Sequence, residues 1–151
     1  MARMIDISGK DSVPRTAIAT GSLLLDGKTI DAIRKGIVKK GDVITASKLA
    51  GIQAAKATST VLPLCHQVPL TSIEISATIR KNKVDMECRV SADYKTGVEM
   101  EALVGVTVAL LNAWDMVKYL EKDSKGQYPA TRISDIRVME KSKGVAGHGH
   151  R

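Results

Sequence analysis

The sequence predicts an α+β fold in which an antiparallel sheet carries its helices on one face, and three observations predict it. One is a period-2 hairpin in "SIEISATIRKNKVDMECRVSA". Another is a pair of helical segments, near 43–57 and 99–121, which that hairpin separates. The third is a strand at each end, "RTAIATGSLLL" before and "RISDIRVME" after, so that the order reads β-α-β-β-α-β. Two helices split by a hairpin and flanked by outer strands match the ferredoxin-like arrangement.

Each element has its own signature. In the hairpin, Ile73, Ile75, Ala77 and Ile79 alternate with polar residues, as do Val84, Met86, Cys88, Val90 and Ala92 beyond a Lys-Asn-Lys turn. Pairing Ile79 with Val84 also sets Ala77 against Met86, Ile75 against Cys88 and Ile73 against Val90, with Glu74 against Arg89 on the other face. Cys88 therefore reads as a core residue. Upstream, "TIDAIRKG" reads as a short helix closed by Gly36. Asp42 is the expected N-cap of "VITASKLAGIQAAKAT", whose isoleucines, leucine and alanines form an apolar face. The segment "TGVEMEALVGVTVALLNAWDMVK" reads as a long helix with almost nothing polar between Ala102 and Trp114. One sheet face cannot cover such a helix, which predicts a second subunit as the remaining cover.

A chain of 151 residues suits one domain, expected over 1–143, with 144–151 as a flexible Gly/His tail in which His148 and His150 have no further metal ligands nearby. The 44% hydrophobic content, the charged N-terminus without an apolar core and the absence of about 20 uninterrupted apolar residues predict a cytoplasmic protein with no membrane partner. Two cysteines make no disulfide framework. The formal charge of +7 implies an anionic partner without choosing it. With no Phe, and a second hairpin strand lacking alternating aromatics, a base-stacking platform is missing, so nucleic acid is not the expected partner.

Three places carry candidate chemistry. At about 100° per residue, the 14 steps from Glu101 to Asp115 return within about 40° of the start, and Lys118 lies about 60° further on, so the three share a flank. Asp115 and Lys118 read either as an ordinary i,i+3 ion pair, the reading helix physics favours, or as groups whose apolar, subunit-bounded setting shifts their pKa values for proton transfer. In "VLPLCHQVPL", two prolines stiffen a loop that presents Cys65 and His66, read either as solvated or as functional; adjacent Cys and His without further partners make a poor zinc set. In "RKGIVKKGDV", Lys39 and Lys40 stand just before the Asp42 cap, either a solvated charge run or a phosphate site using the helix start. Lys56 adds a positive charge near the histidine loop.

Taken together, "KGDV", "AGIQAAKATS", "LPLCH", "TGVEMEAL" and "WDMVK", in this order, resemble the cyclic pyranopterin monophosphate synthases, accessory protein C of molybdenum cofactor biosynthesis. The resemblance runs from "MIDISGK" to "IRVMEKS". It implies a ferredoxin-like subunit in a hexamer built as a trimer of dimers, with the active site at a subunit boundary. It also implies a nucleotide triphosphate substrate, 3′,8-cyclo-7,8-dihydroguanosine 5′-triphosphate, rearranged to cyclic pyranopterin monophosphate with loss of pyrophosphate. By the same resemblance Asp115, Lys118 and Lys40 are catalytic, and Leu64, Cys65, His66, Met100 and Glu101 contact substrate, with Glu99, Lys56 and Arg15 as nearby polar candidates. No resident cofactor or protein-bound metal is implied; Mg²⁺ enters only as a companion of the triphosphate. On the chemistry of the reaction, Lys118 in an apolar setting is expected to have a lowered pKa. The chain departs from the family pattern at Gln67, in its "KSKGVAG" tail and in a longer segment at 122–132.

Overall fold

The computed structural model describes residues 1–146; the tail histidines His148 and His150 lie outside that range. The elements run β1 (Val13–Leu24), α1 (Gly27–Lys35), α2 (Val43–Lys56), α3 (Thr58–Val61), β2 (Leu70–Ile79), β3 (Lys83–Tyr94), α4 (Glu99–Glu121) and β4 (Arg132–Lys143). The sheet order is β2-β3-β1-β4, with every neighbouring pair antiparallel. Each parallel pair, β1 with β2 and β3 with β4, is thus split by a strand between them, the ferredoxin-like pattern expected from the element order.

The hairpin takes the register written from its two faces: Ile79 opposite Val84, Ala77 opposite Met86, Ile75 opposite Cys88, Ile73 opposite Val90 and Glu74 opposite Arg89. Cys88 is fully buried, and burial pushes its thiol up to about 12, so it stays protonated and inert. Both helix caps also form where the residues indicated. Gly36 takes φ 66, a conformation costly for a residue with a Cβ. The Asp42 carboxylate accepts the Thr45 N–H at 3.0 Å. The helix expected over about 43–57 runs Val43–Lys56, and beyond Ala57 a separate turn, Thr58–Val61, feeds the Pro63 loop.

The core lies between the sheet and the α2–α4 pair, centred on Leu23, Val84, Met86, Val90, Val106, Leu110 and Val117. The two helices come into close backbone contact at Gly51 and Gly105. A Cβ at position 51 would lie 2.7 Å from the Gly105 carbonyl oxygen and would run into Ile75. Alanine raises helix propensity by about 1 kcal/mol, but overpacking against backbone costs about 1–3 kcal/mol. Gly51→Ala is therefore expected to lower the urea-unfolding free energy by about 1 kcal/mol; a gain in stability would show the crossing to be loose.

Among the described residues α4 is the one helix long and apolar enough to cross a membrane by length and composition, yet half of that stretch is buried inside the domain. Its last residue, Glu121, is a hub. The buried carboxylate accepts the Asp26 N–H at 3.1 and 3.2 Å, the Thr131 hydroxyl at 2.8 Å and the Thr29 hydroxyl. These bonds offset the desolvation of the charge and tie the start of α1 and the approach to β4 onto the end of α4.

Candidate active site

Two groups of functional candidates assemble, one at each end of α4. At the C-terminal end, the turn between α1 and α2 presents Lys40, with Val38 buried beneath it and Gly41 at φ 110 closing the turn. Lys40 Nζ donates to Asp115 Oδ2 at 2.7 Å, and Lys118 Nζ lies 3.0 Å from Asp115 Oδ1. Each carboxylate oxygen thus faces its own ammonium. The hydrogen bond from Lys40, then that from Lys118, holds the Asp115 carboxyl below the usual range. Leu111 and Trp114 join Asp115 and Lys118 around an apolar hollow of about 380 Å³, and Tyr128 packs edge-on against Trp114 at 5.3 Å between ring centroids.

The direction of the Lys118 shift corrects the expectation. Asp115, first by its hydrogen bond and then by its charge, raises the Lys118 pKa instead of lowering it. The physical reason is exposure. The side chains of Lys40, Asp115 and Lys118 are 51%, 47% and 44% exposed in the single chain, so desolvation is weaker than ion pairing.

At the N-terminal end, the first turn of α4 brings Glu99, Met100 and Glu101 beside the proline loop. Glu101 is only 3% exposed, and neither its Oε2 nor that of Glu99 has a hydrogen-bond partner among the described residues. Burial, with a further contribution from the charge of Glu99, raises the Glu101 pKa. The Cys65 thiol is also pushed up, by burial first and then by Glu101 and Glu99, which places the loop next to both carboxylates. His66 lies near enough to Asp6 to help lower its carboxyl, although the Ser8 N–H has the larger effect. Leu64 and Met100 stand exposed at the edge of this group. Arg15 is buried opposite Ala92, its Nε donating to the Tyr94 carbonyl at 3.4 Å. Lys141, on β4, lies 3.3 Å from Glu99 Oε1.

Glu101 and Asp115 do share a flank, but 14 residues at about 1.5 Å each put them about 21 Å apart along the axis. One chain brings together Lys40, Asp115 and Lys118, and separately Cys65, His66, Glu99 and Glu101. It does not join the two groups. Lys56 lines a cavity of about 390 Å³ together with Val68 of the histidine loop, and with Ile52, Leu70 and Ile73 among its other walls. At the α2 start the Asp42 carboxylate accepts the Thr45 N–H and the Thr45 hydroxyl, which sets a negative charge against the helix N-terminus. Sequence reading missed Glu121, Tyr119, whose oxygen accepts the Lys39 N–H at 3.0 Å, and Tyr128, because each acts on residues far away in the chain or across a loop.

The sheet order defines a ferredoxin-like α+β domain, which carries a surface group of one carboxylate held between two lysine ammoniums. The model of the MoaC family matches residues 4–144. A protein of Thermococcus kodakarensis named probable cyclic pyranopterin monophosphate synthase is 53% identical over 142 residues, covering 94% of this chain and 91% of that one. Proteins of the same name from Archaeoglobus fulgidus and Saccharolobus solfataricus are 51% and 50% identical, each over 94% of this chain and over 91% and 95% of their own. This chain belongs to the MoaC family.

Proposed function

We propose that the chain is a cyclic pyranopterin monophosphate synthase of molybdenum cofactor biosynthesis. It converts (8S)-3′,8-cyclo-7,8-dihydroguanosine 5′-triphosphate into cyclic pyranopterin monophosphate and pyrophosphate. The observation that carries the reading is the Asp115 carboxylate held between Lys40 and Lys118, on a chain about half identical to proteins of that name.

The reaction opens a purine-derived ring, closes a pterin and forms a cyclic phosphate. Asp115 and Lys118 serve as the proton-transfer pair. In the last step a ribose hydroxyl attacks the α-phosphorus, the bond from the α-phosphorus to its bridging oxygen breaks, and pyrophosphate leaves with the electron pair. Lys40 stabilises the charge gathering on that leaving group, supported by Arg15 and Lys56 from a neighbouring subunit. Buried Glu101 and partly buried Glu99, each with an unfilled Oε2, suit the N–H donors of the guanidine-like edge of the base. His66 and Cys65 border the same place, with Leu64 and Met100 at the entrance.

The site is completed between protomers of a homo-oligomer, proposed as a hexamer of three dimers. Two observations support this. The groups about 21 Å apart cannot close on one nucleotide from the same chain. An outward stripe on α4, Val104, Val108, Leu111 and Trp114, is only partly covered and ends at Asp115 and Lys118. Covering it with a second copy would also desolvate Asp115 and Lys118, moving both pKa values back toward the range useful for proton transfer. The protein acts in the cytoplasm, with Mg²⁺ arriving on the triphosphate. Incubation with the cyclised nucleotide, read by pyrophosphate release, tests the reaction; native mass spectrometry tests the assembly. Absence of release by a correctly assembled protein would refute the reading.

A further inference from the structure

The turn that carries Lys40 is fastened to α4 by a side chain outside the motifs that mark the site. Tyr119 follows Lys118 directly and is 38% exposed. Its phenol oxygen accepts the backbone N–H of Lys39 at 3.0 Å, while the Lys39 ammonium lies over its ring, 5.0 Å from the centroid. One residue later, Lys40 Nζ reaches Asp115. The same aromatic therefore holds both the main chain and the side chain of the residue preceding Lys40.

We infer that Tyr119 is a positioning residue, which acts on the reaction only through the placement of Lys40. The inference rests on the reading of Lys40 as a triphosphate contact. Other restraints on the turn lie to either side of Lys40: buried Val38 before it, the Gly41 N–H bonded to the Val38 carbonyl at 3.0 Å, and the Asp42 cap after it. None of them fixes the Lys39–Lys40 peptide against α4. The Lys40 side chain is half exposed, and a lysine carries about 2 kcal/mol of rotamer entropy that must be lost whenever its ammonium is held in one place. Anchoring the backbone one residue upstream restricts that search before the substrate arrives. Cation–π attraction at an exposed site, about 0.5–1 kcal/mol, and one neutral hydrogen bond, about 1 kcal/mol, are the right size to bias the turn without making the fold depend on it.

The test uses the full-length assembled protein and two variants. Tyr119→Phe removes the acceptor oxygen and keeps the ring; Tyr119→Leu removes both. Each is made alone and with Lys40→Ala, and calorimetry measures binding of inorganic tripolyphosphate alongside KM and kcat for the cyclised nucleotide. Tyr119→Phe is expected to weaken tripolyphosphate binding about fivefold, the loss of about one neutral hydrogen bond, and Tyr119→Leu more. KM should rise by a similar factor with a smaller change in kcat. In the Lys40→Ala background the Tyr119 effects should vanish. Equal losses with and without Lys40 would make Tyr119 merely structural and overturn the inference. So would unaltered binding by both Tyr119 variants when Lys40→Ala alone binds weakly. If Lys40→Ala itself bound tripolyphosphate normally, the reading of Lys40 would fall first, and this inference with it.

Discussion

Asp115→Asn is expected to reduce turnover about a thousandfold while leaving the melting temperature and oligomer size unchanged. The amide keeps the size and shape of the side chain but can neither take up a proton at neutral pH nor carry the charge that pairs Lys40 with Lys118. Little stability is at risk, because all three side chains are about half exposed and solvent screens such ion pairs. Lys118→Ala should be similarly inactive, and Lys40→Ala should chiefly raise KM. The variant also has a pH signature. The wild-type Asp115 pKa lies below 3.8 in the folded chain, so its small contribution to stability is present above 3.8 and is lost as pH falls through the lowered value. Lys118, raised above 10.5, contributes below 10.5 and loses that contribution as pH climbs through the raised value. Asp115→Asn should erase both limbs. Near-normal turnover of the assembled variant, measured by pyrophosphate release, would remove Asp115 from the mechanism.

What could be read in advance depended on how local the physics was. The hairpin register was legible because both faces of two strands alternate, so only one pairing satisfies the apolar and the charged sides together. Gly36 and Asp42 were legible because capping depends on a few adjacent residues. The Asp115–Lys118 pair was legible from its i,i+3 spacing, but the salt bridge to Lys40, 75 residues upstream, was not. It depends on how the α1–α2 turn lies on α4, and Tyr119 carries no recognisable motif for that. The shift of Lys118 came out with the opposite sign for a similar reason. Composition shows that α4 is apolar but not which stripe the sheet leaves uncovered, and exposure decides whether desolvation or ion pairing prevails. Glu101 and Asp115 share a flank as the helical period requires, yet the same helix holds them about 21 Å apart.

Glu101→Gln should move stability and substrate binding in opposite directions. In the folded chain the carboxylate is 3% exposed, lacks a partner for Oε2 among the described residues and has Glu99 as a like-charged neighbour, so its ionised form is penalised and its pKa is raised above 4.5. For a raised carboxylate the penalty is absent below 4.5, where both folded and unfolded chains hold the proton, and it reaches its full size once pH exceeds the raised value. A neutral amide removes that penalty. At pH 7 the variant should therefore be more stable by about 1 kcal/mol, a rise of about 2–4 °C in Tm, and the gain should shrink to nothing near pH 4. A charged acceptor contributes about 1.5–3 kcal/mol to a hydrogen bond, so losing it toward the N–H donors of the base should weaken nucleotide binding about 10- to 100-fold. Scanning calorimetry across pH 4–8, with titration of the cyclised nucleotide into each protein, separates the two effects. A less stable variant at pH 7 would mean that the assembled protein supplies Glu101 with a donor the single chain lacks. Unchanged nucleotide affinity would mean that the base is read elsewhere. The expected pair of results, a firmer fold and a weaker ligand, is the signature of a charge kept in a costly place for what it binds.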